Sequence, residues 1–306
     1  MIRNINKYIL ILALLLAMTI LSGCVSHNES PFATPSGASA AAPSGNVSGN
    51  AFGMIKVAAT IPPLGEFVRA VGGEKVEVTV IVPPGAEPHT FEPTPSLMRD
   101  VAKADLYVMN GAGLEFWMNK LLEANEKMAV VDSSQGVALL QENAGEIDPH
   151  IWLSLRNSAV QVDNICAGLI KVDSQNKEFY IKNRDDYLEK LKALDVELNL
   201  TFAGKKNKIF IVHHPAWPYF ARDYNLSQVP LMENEKEPGP KYLGEVIELA
   251  RKNNITTIFV EPQFNPKSAE VIAREMNARI VALDPLAGNY LDNMRNASRE
   301  IAQSLK

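Results

Sequence analysis

The chain has 306 residues, of which 46% are apolar and 21% charged, with a formal net charge of −5 at pH 7. That balance builds a globular body rather than a disordered chain, and an acidic protein without a Lys/Arg cluster has no electrostatic footprint for nucleic acid. Two cysteines exclude a disulfide framework, a four-cysteine zinc ribbon and an iron–sulfur cluster, while five histidines are few enough to weigh one by one.

Residues 1–23 read as a signal peptide. Arg3 and Lys7 precede an uncharged apolar run from Tyr8 to Leu21, too short for a membrane span of about 20 residues and suited to a signal core. Leu21-Ser22-Gly23-Cys24 resembles a lipoprotein lipobox, which implies cleavage before Cys24 and lipid attachment to its sulfur. The alternative is an uncleaved anchor helix, and either way the body lies outside the cytoplasm, moored to the membrane. Residues 24–53 turn abruptly to Ser, Gly, Ala, Pro and Asn, the composition of a flexible tether. His27 falls within it and is set aside as a ligand.

The remainder alternates short β-branched runs with helical patterns. Strands are predicted at Ile55–Thr60, Val76–Val82, Leu106–Met109 and Ala129–Asp132, with helices at Leu64–Val71, Ser96–Ala104, Glu115–Ala124 and Ser158–Lys171. A second set has strands at Lys208–Val212, Gln228–Leu231, Thr256–Val260 and Arg279–Leu283, with helices at Tyr242–Asn253, Lys267–Asn277 and Tyr290–Leu305. Such alternation predicts an α/β protein whose mostly parallel sheets are flanked by helices. Between the sets, Asn176–Phe202 carries Phe179, Leu188, Leu191, Leu194 and Leu198 at helical spacing without Gly or Pro. A helix of that length, about 40 Å, suits a rod joining two lobes. The expected organisation is an N-terminal lobe over 54–175, a linking helix over 176–203 and a C-terminal lobe over 204–306.

Ligands of open parallel sheets bind beyond the carboxyl ends of the strands. His89 follows the second strand through a Pro/Gly turn, His213 and His214 follow Lys208–Val212, and Asp284 follows Arg279–Leu283. His150 stands in the turn Asp148-Pro149-His150-Ile151-Trp152, and Glu261 follows Thr256–Val260. The spacings are far too long for a local ligand motif such as HExxH or CxxC. Position at strand ends is the stronger argument, and three imidazoles with a carboxylate suit a divalent transition metal, zinc above all. Read singly, a histidine after a strand is more often a hydrogen-bonded loop residue than a ligand, and an Asp before Pro is a common turn residue and helix cap.

The ordered pieces Ala58-Ala59-Thr60-Ile61-Pro62-Pro63, Pro88-His89-Thr90-Phe91-Glu92-Pro93, Asn110-Gly111-Ala112-Gly113-Leu114-Glu115, Asp148-Pro149-His150-Ile151-Trp152-Leu153, His214-Pro215-Ala216-Trp217-Pro218-Tyr219-Phe220 and Asp284-Pro285-Leu286 together resemble the metal-binding subunits of zinc and manganese ABC importers. These are the cluster A-I, ZnuA/TroA-like solute-binding proteins, and the resemblance spans Ile55 to Lys306. It implies two lobes on one rigid linking helix, and a metal site of His89, His150, His214 and Asp284. His213 becomes a neighbour of the site, and Glu261 a residue orienting an imidazole from behind, with a helix cap as its alternative role. The implied activity is capture of a divalent ion, zinc favoured and manganese the alternative, and its delivery to an ABC permease by a protein that is not an enzyme.

Residues 125–149 lack the His-rich acidic loop of many zinc-importing members, so zinc is not assigned from that loop. A histidine at 214, where typical manganese members carry Glu, leans toward zinc. Affinity should fall below about pH 6.5 as imidazoles protonate, and binding should favour a closed arrangement through a small hinge. Two other readings compete. A zinc hydrolase would use Glu261 as its base, with an open position for water. An organic-solute receptor would line its pocket with Trp152, Trp217 and Tyr219. Cys166 reads as a buried apolar residue, and Asn46-Val47-Ser48 and Asn225-Leu226-Ser227 fit a glycosylation sequon.

Overall fold

The computed structural model describes residues 53–118, 123, 125–141, 145–232 and 239–305. The expected signal peptide, the lipidated Cys24, His27 and the tether up to residue 52 lie outside the described residues.

Two parallel four-stranded sheets form in succession. In the first, β1 (Ile55–Ala59), β2 (Val76–Val80), β3 (Leu106–Met109) and β4 (Ala129–Asp132) lie in the order β2-β1-β3-β4. In the second, β5 (Ile209–Val212), β6 (Ser227–Pro230), β7 (Thr257–Val260) and β8 (Arg279–Ala282) lie in the order β6-β5-β7-β8. The two orders are the same, so each sheet reverses direction beside its first strand: β1 pairs β3 with Val57 opposite Leu106, and β5 pairs β7 with Ile211 opposite Ile258. The carboxyl ends of those strand pairs flank the crevice where such sheets place their ligands. The central strands are apolar without alternation because both faces are covered. Pro230 is tolerated since β6 is an edge strand and the proline ends it.

Proline and hydroxyl residues start the helices. Pro62 and Pro63 open α1 (Pro62–Gly72), Pro95 opens α2 (Pro95–Val101), and Pro240 opens α6 (Pro240–Lys252), each where the missing amide costs nothing. Thr94 caps α2 by accepting from the Leu97 amide, and Ser154 caps α3 (Leu155–Val172) by accepting from that of Asn157. The remaining helices are α4 (Lys177–Ala203), α5 (Pro218–Asp223), α7 (Lys267–Met276) and α8 (Tyr290–Ser304).

Several predicted boundaries move. β2 ends at Val80, although the Ile81 and Val82 amides still donate to the carbonyls of Ala59 and Thr60; Pro83 and Pro84 then stop the ladder. The helix expected over Glu115–Ala124 does not begin at Glu115. Residues 110–117 form turns instead, because the Glu115 carboxylate folds back to accept from the Asn110 and Gly111 amides. Residues 119–122 and 124 lie outside the described residues.

Helix α4 is the expected long connection, about 40 Å at 1.5 Å per residue. Its buried stripe is Tyr180, Tyr187, Leu191, Leu194, Leu198 and Phe202; Phe179 and Leu188 stand at the stripe's edge, only partly buried. A continuous apolar core runs from β1, β3 and α1 through α3 and α4 to Trp217, Phe220 and α8. A smaller cluster lies between the second sheet and α6 and α7. Polar straps reinforce the joint. The two Glu66 oxygens on α1 accept from the Tyr187 hydroxyl at 2.9 Å and the Tyr290 amide at 2.6 Å, and the Tyr290 hydroxyl donates to the Trp152 carbonyl at 2.7 Å. A core shared this widely resists large relative motion. Cys166 is buried and free.

Candidate metal centre

Strand ends bring the site residues together. His213 and His214 leave β5, Glu261 leaves β7, and Asp284 follows β8 after one residue, while His89 lies in the loop after β2. His150 precedes a short turn of helix at Ile151–Leu153. The His150 Nε2 lies 3.2 Å from that of His89 and 3.1 Å from that of His214. One ring nitrogen of each lies within 4.8 Å of the other two. His150 and His214 are buried, and His89 is partly exposed at the mouth.

Each histidine is held by its neighbours. Asp148 Oδ1 accepts from the His150 amide at 2.9 Å and stands 3.2 Å from its Nδ1. A carboxylate there assigns the proton to Nδ1 and turns the Nε2 lone pair toward the other two rings. The loop carrying His150 is tied on both sides: Asn110 Nδ2 donates to the Pro149 carbonyl at 2.9 Å, and the Tyr219 hydroxyl to the Asp148 carbonyl at 2.8 Å. Phe264 stacks on His214, with ring centroids 4.8 Å apart and planes 25° apart. The His89 amide donates to Glu87 Oε1 at 2.7 Å.

Glu261 Oε2 accepts from the backbone amide of His214 at 3.2 Å, a contact that positions the His214 backbone. The cap of α7 is Pro266. Complete burial, with a smaller push from Glu87, raises the Glu261 carboxyl to about 7 against the pull of His214. Its Oε1 is buried without a hydrogen-bond partner. His213 is turned away, with its Nε2 3.1 Å from Ser268 Oγ. Asp284 is not part of the close histidine cluster; its Oδ1 accepts from Gln263 Nε2 at 2.8 Å and from the Leu286 amide at 2.9 Å.

The cleft lined by Glu87, His89, His150 and His214 and closed by Trp152, Gln263, Phe264 and Pro285 encloses about 10 Å³. That is room for about one water-sized sphere, whereas organic ligands occupy pockets of roughly 300 Å³ or more. Three mutually facing imidazole nitrogens, with Glu87 lining the same cleft, fit a single cation, and neutral imidazoles suit zinc and its neighbours. Trp152 and Tyr219 serve as struts: the Trp152 indole donates to the Pro285 carbonyl at 2.7 Å.

Asp148, Gln263, Phe264 and Glu87 were not singled out from the sequence as contributors. Asp148 had a local signal, since an Asp two residues before a ligand histidine can accept from both its amide and its ring. Gln263 and Phe264 had none, because their contacts depend on how the loop after β7 meets those after β5 and β8.

A family model described as "Zinc-uptake complex component A periplasmic" matches residues 57–304. The high-affinity zinc uptake system protein ZnuA of Bacillus subtilis (strain 168) is 31% identical over 279 residues, spanning 82% of this chain and 88% of that protein. The manganese ABC transporter substrate-binding lipoprotein PsaA of Streptococcus pneumoniae is 31% identical over 243 residues, spanning 74% and 78%. A crystal structure of ZnuA superposes with a TM-score of 0.81 at 38% identity, covering 82% of this chain and 99% of that one. The chain belongs to the zinc-uptake component A family of metal-binding, substrate-binding proteins of ABC importers.

Proposed function

We propose that this protein captures a zinc ion outside the cytoplasm and delivers it to a membrane ABC permease, with manganese as the alternative cargo. His89, His150 and His214 supply imidazole nitrogens, and Asp284 completes the set from the second lobe. The reading rests above all on the three histidines from three separate loops, whose ring nitrogens lie within 4.8 Å of one another. A hydrolase would need room for a substrate, and a cleft of about 10 Å³ has none; carriers of this family are not enzymes.

The lobes are read as residues 54–175 and 204–306, with 176–203 as the link. Cys24 is the lipid attachment, a reading supported by streptococcal relatives named as lipoproteins. No helix among the described residues is long and apolar enough to cross a membrane. Ion binding would draw the loops of the two lobes together, and the permease would read that difference.

The test is metal content of protein purified without added metal or tag histidines, then titration with zinc and manganese beside the double variant His89→Ala/His214→Ala. One ion per chain, lost in the variant, is the expected result. A wild-type protein that takes up neither metal overturns the proposal.

A further inference from the structure

Asp284 is anchored more firmly than a loop residue requires. Its carbonyl accepts from Asn293 Nδ2 at 2.7 Å, and the next carbonyl, that of Pro285, accepts from the Trp152 indole at 2.7 Å. Within its carboxylate, Oδ1 accepts twice, from the Leu286 amide at 2.9 Å and from Gln263 Nε2 at 2.8 Å. The Gln263 amide is held in turn by Asp284, since its own Oε1 is buried without a donor.

A carboxylate with one oxygen saturated by two N–H donors has one oxygen left to give. Three imidazoles and one such oxygen make four donors, the tetrahedral complement of zinc. A carboxylate free to use both oxygens would offer a fifth donor and a more oxygen-rich shell, which suits manganese. Among the described residues, Gln263 is the only side chain that engages Oδ1, and it reaches Asp284 because the turn Glu261-Pro262-Gln263-Phe264 closes with the Phe264 amide donating to the Glu261 carbonyl at 3.2 Å.

We infer that Gln263 is a specificity-determining residue: by occupying Oδ1 it restricts Asp284 to single-oxygen coordination and so favours zinc over manganese. This rests on Asp284 being a ligand. Ligand-supporting partners of this kind change affinity by about 10–100-fold when removed.

The experiment compares the full chain with Gln263→Leu, which keeps bulk but lacks the donor, with Gln263→Ala, and with Asp284→Ala. Zinc and manganese dissociation constants are measured by competition against a chelating dye. The cobalt-loaded visible spectrum reports coordination number, and melting of the metal-free protein checks folding. The expected result is a zinc-to-manganese affinity ratio lowered about tenfold in both Gln263 variants, with the cobalt spectrum moving from four-coordinate toward higher-coordinate. A ratio unchanged within about twofold, or an equal loss of both metals with an unaltered cobalt spectrum, overturns the inference while leaving Asp284 a ligand, provided Asp284→Ala weakens zinc binding. Wild-type zinc affinity in Asp284→Ala overturns the ligand assignment itself, and this inference with it.

Discussion

Asp148 offers the sharpest test of how the site is held. Its Oδ1 accepts two bonds from His150, one from the backbone amide at 2.9 Å and one at the ring Nδ1, 3.2 Å away, and both residues are buried. Removing it does two things. The ring loses the partner that keeps Nδ1 protonated and Nε2 free for the ion, and a buried amide loses its acceptor. A hydrogen bond to a charged group contributes about 1.5–3 kcal/mol, and loss of a partner behind a metal-bound imidazole costs about 10–100-fold in affinity, or roughly 1.4–2.7 kcal/mol. The two ranges agree. Asp148→Ala should therefore weaken zinc binding toward the hundredfold end, while Asp148→Asn, which keeps a neutral acceptor, should lose only about tenfold. Competition titration with a chelating dye measures both. The reasoning is refuted if Asp148→Ala binds zinc within about threefold of wild type while its metal-free melting temperature is unchanged, because His150 would then hold its tautomer and rotamer unaided.

Three further outcomes follow from the same structure. Burial pushes the Glu115 carboxyl from its ordinary 4.5 to about 7, against the Thr60 hydroxyl and the Asn110 and Gly111 amides. Between those values the folded chain holds a proton that the unfolded chain has lost, so rising pH favours unfolding, and the penalty is complete above about pH 7. Glu115→Gln cannot ionise, so its stability relative to wild type should climb by about 3 kcal/mol from pH 4.5 to pH 7.5; urea midpoints of the metal-free proteins that differ by a constant amount would contradict this.

A Cβ at Gly168 on α3 would meet Val131 Cγ2 at 2.1 Å. Gly168→Ala should accordingly lower the melting temperature, the crowding of about 1–3 kcal/mol exceeding a helix-propensity gain of about 1 kcal/mol; an unchanged or higher value would show that the β4–α3 contact yields freely. Zinc at about one hundred times its dissociation constant should stabilise the fold by roughly 2.7 kcal/mol, raising the melting temperature by about 5–10 °C in a manner reversed by a chelator and absent from the His89→Ala/His214→Ala variant.

Much of the architecture was legible because local physics writes it into the chain. Short β-branched runs marked the parallel strands, and Pro95 and Pro240 stand where helices start. An uninterrupted apolar spacing marked α4. The reading failed where a side chain satisfied the backbone from outside the local pattern. Glu115 carries the period of a helix start, yet its carboxylate is used by the Asn110 and Gly111 amides, and the chain turns instead. Gly111 sits at φ +75°, with Asp132 Oδ1 only 2.1 Å from where a Cβ would stand, a close approach that no neighbouring residue announces.

The sequence by itself determined which strands end in chemistry-bearing residues, since His214 and Glu261 follow apolar runs that form the buried strands β5 and β7, and Asp284 follows the β-branched run of the edge strand β8. Only the tertiary structure decided that His89, His150 and His214 share one point while His213, adjacent to His214 in the chain, faces Ser268 instead. Successive residues leaving a strand point to opposite sides, and which side meets the other lobe depends on the core spanning α1, α3, α4 and α8. The roles of Asp148, Gln263 and Phe264 were decided at the same level, because a hydrogen bond or a ring stack is a relation in space between loops.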